Sequence, residues 1–180
     1  ENSRAYFLEP IGNHAYAGVT ALHVAAGAYQ ADLARVLIER GARPAARNRR
    51  GAEPLHYAAV GAPGTDHWDP TAQGDVIELL VEAGADPDAL DKSGVAPLHK
   101  AVRTRCTGAV QTLLAQGADP RLATKSGSTP LHLAVQTTGR GGTGAAAAIE
   151  QQRAIIVALL AAGARPGDRD GKGTTVAQAA

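Results

Sequence analysis

Four of the six histidines in this 180-residue chain stand in one repeated frame. They are His23 in GVTALHVAA, His56 in GAEPLHYAA, His99 in GVAPLHKAV and His132 in GSTPLHLAV. Histidine ligates metals and moves protons near neutral pH, so its recurrence first raises a shared ion or a proton relay. Both need side chains that converge. The intervals are 33, 43 and 33 residues, and a residue recurring at a chain period builds one supersecondary unit per period. Packed helices stand about 10 Å apart, whereas zinc ligands all lie about 2 Å from one ion. The four histidines are therefore read as fold residues.

The other chemical candidates thin out in the same way. GRGGTG, Gly139 to Gly144, formally matches Gly-x-Gly-x-x-Gly ahead of a helix. A dinucleotide site also needs a buried strand before that turn, so that the helix N-terminus is aimed at the pyrophosphate. Here TPLHLAVQTT precedes it, a helical segment, and no acid follows at the ribose-binding distance. The glycines read as a flexible insertion. DHWD sets Asp66, His67, Trp68 and Asp69 side by side, but adjacent residues rarely converge on one ion. Trp68, the only tryptophan, is open to two interpretations. It folds back over apolar surface, or it anchors a partner through its large contact area. Cys106 lies near Arg103 and Arg105, whose charge would favour a thiolate. With no histidine or acid partner in its frame, it reads as an inert small residue. No Ser/His/Asp set on a nucleophile elbow and no paired carboxylates on one face are found. No catalytic, cofactor-binding or metal-ligating residue is assigned.

What, then, must the repeated frame position? A second landmark keeps step with the histidines: LIERGARP, LVEAGADP, LAQGADP and LAAGARP end at Pro44, Pro87, Pro120 and Pro166. Gly41, Gly84, Gly117 and Gly163 each follow an apolar helical run, where glycine takes the left-handed conformation that ends a helix and a later proline blocks its resumption. Upstream, Thr129 is placed as an N-cap with Pro130 at the first helical position, where a missing N–H costs nothing. Each unit reads as turn, short helix, turn, longer helix, loop.

Two units exceed the period, by ten and thirteen residues. The frames on either side stay in register, so both excesses fall at the turn between the two helices. The first lies in VGAPGTDHWDPTAQG, Val60 to Gly74, where proline, glycine and aspartate predict a loop. The second lies in QTTGRGGTGAAAAIEQQR, Gln136 to Arg153. Its glycine half is expected to be mobile. Its alanine half is continuous with AIIVALLAA, so the longer helix is expected to extend backwards, with Thr143 as N-cap.

The frame resembles the ankyrin repeat, whose signature includes Gly-x-Thr-Pro-Leu-His-x-Ala-Ala and a later Leu-Leu-x-x-Gly-Ala-Asp; GSTPLHLAV and LLAQGADP match it closely. The resemblance covers nearly the whole chain. It implies an all-α solenoid of stacked antiparallel helix pairs, with β-hairpin-like finger loops projecting from one edge. It also implies that the repeated histidine bonds to loop backbone. The chain is expected to form one such domain: full repeats at 16–47, 48–90, 91–123 and 124–169, with partial repeats at 1–15 and 170–180. In this family partners usually engage the finger tips and inner helices. Those slots hold Tyr16, Arg49, Arg50, Lys92, Arg103, Lys125 and Lys172 among others, and Trp68 is added from the insertion. Six of the slot residues are basic and none is acidic.

Two interpretations of that asymmetry stand side by side: scattered solvated charge, or a basic concave strip for an acidic peptide or protein. Over the whole chain, 18 basic and 17 acidic residues leave a net charge of +1, so nothing global points to nucleic acid. No apolar run approaches ~18 residues, so no membrane span is expected. Aromatics are only 3%, which suits closely stacked helices. The single cysteine favours a reducing compartment, and a cytoplasmic location is expected, with a secreted or periplasmic origin as the alternative. The chain lacks methionine and opens at Glu1, as a processed product or excised fragment would. The expectation is a monomeric, non-catalytic module that binds a protein or peptide, without cofactor. The rivals are a regulatory or targeting segment of a larger enzyme, and an enzyme site in the insertions.

Overall fold

Each repeated frame starts and stops its helices by the same local bonds, and the fold follows from them. The computed structural model describes residues 18–63, 65, 68–136 and 146–179. The first helix pair is α1 (Ala21–Gly27) and α2 (Ala31–Glu39); the second is α3 (Pro54–Ala58) and α4 (Pro70–Glu82). Then come α5 (Pro97–Arg103) with α6 (Thr107–Ala115), α7 (Pro130–Val135) with α8 (Ala146–Ala161), and α9 (Val176–Ala179). Among the described residues there is no strand, only an isolated antiparallel bridge between Arg169 and Thr175. Each inner helix packs on the next, α1 on α3, α5, α7 and α9 in turn; the outer helices α2, α4, α6 and α8 do likewise. The molecule is the expected all-α stack of helix pairs.

The inner helices start on the histidine itself. In α7, the Thr129 hydroxyl accepts from the His132 N–H (3.5 Å) while His132 Nδ1 accepts from the Thr129 N–H (3.3 Å). This is a capping box with histidine where glutamate usually stands. Nδ1 likewise accepts the N–H of Thr20 (3.2 Å), Glu53 (3.1 Å) and Ala96 (3.1 Å) at the other three starts. Because Nδ1 accepts, the proton sits on Nε2. That N–H donates to a carbonyl of the next unit: His23 to Ala52 (3.0 Å), His56 to Val95 (3.0 Å), His132 to Thr174 (3.2 Å). His99 Nε2 points towards the corresponding Ser128 carbonyl without reaching good bonding geometry. One side chain thus caps its own helix and holds the neighbouring loop.

The outer helices end by a shared closure. At Gly84 (φ 96°) the glycine N–H donates to the Val81 carbonyl (2.9 Å) and the Ala85 N–H to the Leu80 carbonyl (2.9 Å). Both bonds satisfy carbonyls that a helix end would leave orphaned. Between the layers, Leu22, Leu55, Leu98 and Leu131 form a buried ladder with Val76, Ile77, Leu80, Leu113, Ile155 and Leu159. Each such burial contributes about 1.5–3 kcal/mol. Buried Ala25, Ala58, Ala101 and Ala134 let successive inner helices approach closely.

The two helices of a unit are joined in two ways. Where no residues are inserted, Tyr29 (φ 56°) and Arg105 (φ 57°) take the left-handed conformation, and the chain enters the outer helix directly. The first insertion instead runs from Ala59 to Asp69. Part of the segment expected as loop is helix: Pro70–Gly74 belongs to α4, because Asp69 Oδ1 accepts from the N–H of Thr71 (2.8 Å) and Ala72 (3.1 Å). Asp69, a possible ligand beside Asp66 and His67 by sequence, serves here as an N-cap. Asp66 and His67 lie outside the described residues. In the second insertion, α8 is 16 residues long against 9 for α2 and α6, the backward extension expected of its alanine run. Thr143 and the GRGGTG segment lie outside the described residues.

Candidate functional site

The fingers are five-residue loops closed by their first residue. Asp91 N–H donates to the Val95 carbonyl (3.0 Å), the Gly94 N–H returns to the Asp91 carbonyl (2.9 Å), and Asp91 Oδ1 accepts from Ser93 (2.8 Å) and Val95 (3.0 Å). Asn48 and Asp170 do the same, whereas the Thr124 hydroxyl accepts the Ser128 N–H (3.2 Å) and meets the Ser126 hydroxyl (2.9 Å). A short polar side chain satisfies the loop backbone locally, so the next two residues are pushed out as the tip. Those tip pairs are Arg49-Arg50, Lys92-Ser93, Lys125-Ser126 and Gly171-Lys172.

The tips are tied to one another. The Lys92 N–H donates to the Arg50 carbonyl (2.9 Å) and the Gly171 N–H to the Ser126 carbonyl (3.0 Å). Lys92 passes over the preceding finger so closely that a Cβ on Gly51 would lie 3.1 Å from its Cγ; Lys125 does the same to Gly94 at 2.8 Å. Arg49, Arg50, Lys92, Lys125 and Lys172 are all exposed on this edge. Arg103 is exposed at the end of α5, where it also lines a shallow hollow with Val102, Leu133, Gln136, Gln152 and Ile155. Tyr16 lies outside the described residues.

Trp68 sits at the opposite end of the helix pairs. It is half-buried against the core, and its Nε1–H donates to Gln73 Oε1 (2.9 Å). Gln73, fully buried, donates in turn to the Ala58 carbonyl (2.7 Å). Gly61 threads between them and the next unit: a Cβ there would lie 2.4 Å from Cys106 Sγ and 2.7 Å from Trp68 Nε1. This packing favours the covering role of Trp68 over that of an anchor. The burial of Cys106 fits the inert small residue read from the sequence, not a thiolate favoured by Arg103 and Arg105. Cys106 is fully buried, and burial pushes its thiol up despite the hydrogen bond from the Thr104 hydroxyl.

The expected residues leave out Lys100. It follows His99 on α5, half-buried, with Nζ 4.0 Å from Asp91 Oδ2. Burial lowers its pKa; Asp91 opposes the change, while the charges of Arg103 and Arg50 add to it. The same frame position holds Val24, Tyr57 and Leu133 in the other units. A cation in an otherwise uncharged slot was the signal that could have found it.

Burial also lowers three frame histidines: His56 to about 4, against the raising effect of its bond to Val95, and His23 and His99 in the same direction. All three are held neutral at physiological pH, as the shared tautomer requires. Glu53 occupies the slot of Thr20 and Thr129. Burial raises its carboxyl against the lowering effect of Arg47, whose Nε lies 3.4 Å from Oε1; Oε2 is buried without a partner.

Two family models match the chain. One describing ankyrin repeats in three copies covers residues 71–170, and one for a single ankyrin repeat covers residues 17–49. No curated protein matches with significant similarity.

Proposed function

The chain belongs to the ankyrin-repeat family, and from that premise we propose that it is a monomeric, non-catalytic module binding an acidic protein or peptide on its finger and inner-helix face. Ankyrin repeats are generally protein–protein interaction modules and are typically non-catalytic. One observation carries the finer reading: basic tips of successive fingers lie against one another on one edge, Lys92 hydrogen-bonded to the Arg50 carbonyl and Lys125 packed against Gly94 of the finger that carries Lys92. The fields of exposed charges extend over a Debye length of ~8 Å at physiological salt, comparable with the ~10 Å between packed helices. Neighbouring tips therefore sum. Asp91 and Asp170 partly offset their own fingers, but both spend Oδ1 on two backbone N–H groups. Among the described residues no helix is long and apolar enough to cross a membrane.

The test uses a partner captured on the immobilised chain. Its association rate is then followed across a salt series for wild type, for the reversal Arg50→Glu/Lys92→Glu/Lys125→Glu, and for an outer-helix control, Arg35→Glu/Arg153→Glu. The finger reversal should slow association by about tenfold or more and flatten its salt dependence, since summed surface charge acts mainly on encounter. Equal losses in the control, or none in either variant, would remove the finger face as the binding surface.

A further inference from the structure

We propose that the hollow between the third and fourth units is a docking site for one tyrosine side chain of the partner; this rests on the protein-binding reading above, though not on the finger charges. Two other seams of the stack show how such a place is filled. Arg105 and Tyr29 hold the same position in their units, and both are left-handed (φ 57° and 56°). The same two turn bonds fix them. The Arg105 N–H donates to the Val102 carbonyl (3.1 Å) and the Cys106 N–H to Ala101 (3.0 Å); the Tyr29 N–H donates to Ala26 (3.2 Å) and the Gln30 N–H to Ala25 (3.0 Å). From that matched backbone, half-buried Tyr29 reaches across to the second unit, where its hydroxyl donates to the Val60 carbonyl. The first seam is thus closed by an aromatic side chain of its own. At the second seam the Gly61 backbone lies close against Trp68 Nε1 and Cys106 Sγ. At the third, Arg105 stands in place of the tyrosine, and the hollow opens there.

The lining states which side chain would suit it. Gln136 holds the register position of Val60, whose carbonyl receives the Tyr29 hydroxyl. Gln152 holds the position of Gln73, and the two close their units alike, donating from Nε2 to the carbonyls of Ala134 (2.7 Å) and Ala58 (2.7 Å). Gln73 also accepts the Trp68 indole N–H at Oε1 (2.9 Å). An aromatic side chain with a polar hydrogen is therefore what this amide already receives within the fold. With Nε2 committed, Gln152 offers the hollow the same Oε1. Buried Val102 and Ile155 give an apolar floor, half-buried Leu133 a wall, and exposed Arg103 a guanidinium that stacks on a ring face. Tyrosine meets all of these, with an apolar body and a hydroxyl that needs a partner when buried. The residues that follow Gln136, TTGRGGTGA, include no aromatic, so this insertion has no counterpart of Trp68 to supply. At about 250 Å³, open solvent included, the hollow falls below the ~300–1,000 Å³ of pockets that enclose small molecules. It suits a single side chain held in place by a larger partner.

The probes are two N-acetylated, C-amidated heptapeptides of equal charge, Glu-Glu-Glu-Tyr-Glu-Glu-Glu and its counterpart with leucine at the centre. Each is titrated at constant ionic strength against wild type, Arg105→Tyr, Leu133→Lys and the finger control Lys125→Gln. Circular dichroism checks that each variant is folded. Arg105→Tyr installs the residue of the first unit on a backbone that already matches, and so fills the hollow from within. Leu133→Lys removes a wall by using the residue that the third unit carries at this position, Lys100. Wild type should prefer the tyrosine peptide by about fivefold, as one added hydrogen bond implies. That preference should vanish in both hollow variants and persist in Lys125→Gln, which lowers both affinities together. In wild type, the Gln152 side-chain amide resonances should shift when the tyrosine peptide is added. Equal affinities in wild type would overturn the hollow while leaving the basic face standing. So would unshifted Gln152 resonances, a preference that survives in either folded hollow variant, or one lost in Lys125→Gln. A wild-type dimer in sedimentation that Arg105→Tyr dissolves would assign the hollow to a second copy and overturn the partner. If neither peptide binds, the hollow is overturned, and the dependence of the captured partner on the finger charges decides the broader proposal separately.

Discussion

His56 makes one bond inside its unit and one across to the next, and its protonation state decides both. The neutral ring accepts at Nδ1 and donates at Nε2. A second proton on Nδ1 would face the Glu53 N–H and end the capping bond. The ring is lowered from 6.5 to about 4 by burial, so between those values the unfolded chain binds a proton that the folded chain refuses. Its contribution is thus fully present above pH 6.5 and is lost as the pH falls to about 4, amounting to roughly 3 kcal/mol. His23 and His99 act with the same sign. Glu53 opposes them: its carboxyl is raised by burial, so acidification relieves the cost of a buried charge. Replacing it separates the two. Glu53→Thr, which installs the residue found at positions 20 and 129, should raise stability at pH 7 by about 1 kcal/mol. It should also steepen the loss below pH 6.5, as measured by urea unfolding at a series of pH values. A variant no more stable than wild type at pH 7 would mean that Arg47 already offsets the burial. His56→Ala should cost about 2–3 kcal/mol at pH 7, more than a single average hydrogen bond, because it strands both a buried N–H and a buried carbonyl.

Among the elements, the turn between inner and outer helix is where the units differ, and the first insertion is held by contacts rather than left loose. Gly61 has no room for a Cβ beside Cys106 Sγ and Trp68 Nε1. Gly61→Ala should therefore cost about 1–3 kcal/mol by overpacking, with a shift in Trp68 emission as the indole is displaced. Unchanged stability and emission would mean that the loop slides freely. Periodicity made the helix pairs, the caps at Thr129 and Gly84 and the position of the insertions legible in the chain. It did not reveal the start of α4, because Asp69 and Pro70 lie in a stretch whose composition argues for loop, and one side chain accepting two N–H groups outweighs composition. Lys100 was hidden for another reason. Within its own segment it is an ordinary solvated lysine of a short helix; only the fold half-buries it and sets its ammonium 4.0 Å from Asp91 Oδ2. Sequence position likewise set Arg103 and Arg105 near Cys106 without showing that burial would govern the thiol.

Across the whole molecule, helices touch their neighbours in the stack, so stability is a sum of unit and interface terms. The terms are unequal. In α4, Gln73, Val76, Ile77, Leu79 and Leu80 are buried, whereas α2 buries Ala34 alone. Amide hydrogen exchange should follow that gradient, with α4 and α6 protected at least about tenfold more than α2 and α9. Uniform protection would mean that the stack opens in one step. The same series arrangement bears on mechanics. If the chain is held at Gly18 and Ala179 and drawn apart, every interface carries the same load, and extension begins at whichever yields at the smallest force. Here that is the seam between α7 and α9, where a four-residue helix buries Val176 alone. The histidine link from His132 to Thr174 is a polar tie across that seam. Under tension the protein should behave as a stiff spring with a weak first coil, lengthening unit by unit from that end rather than rupturing at once.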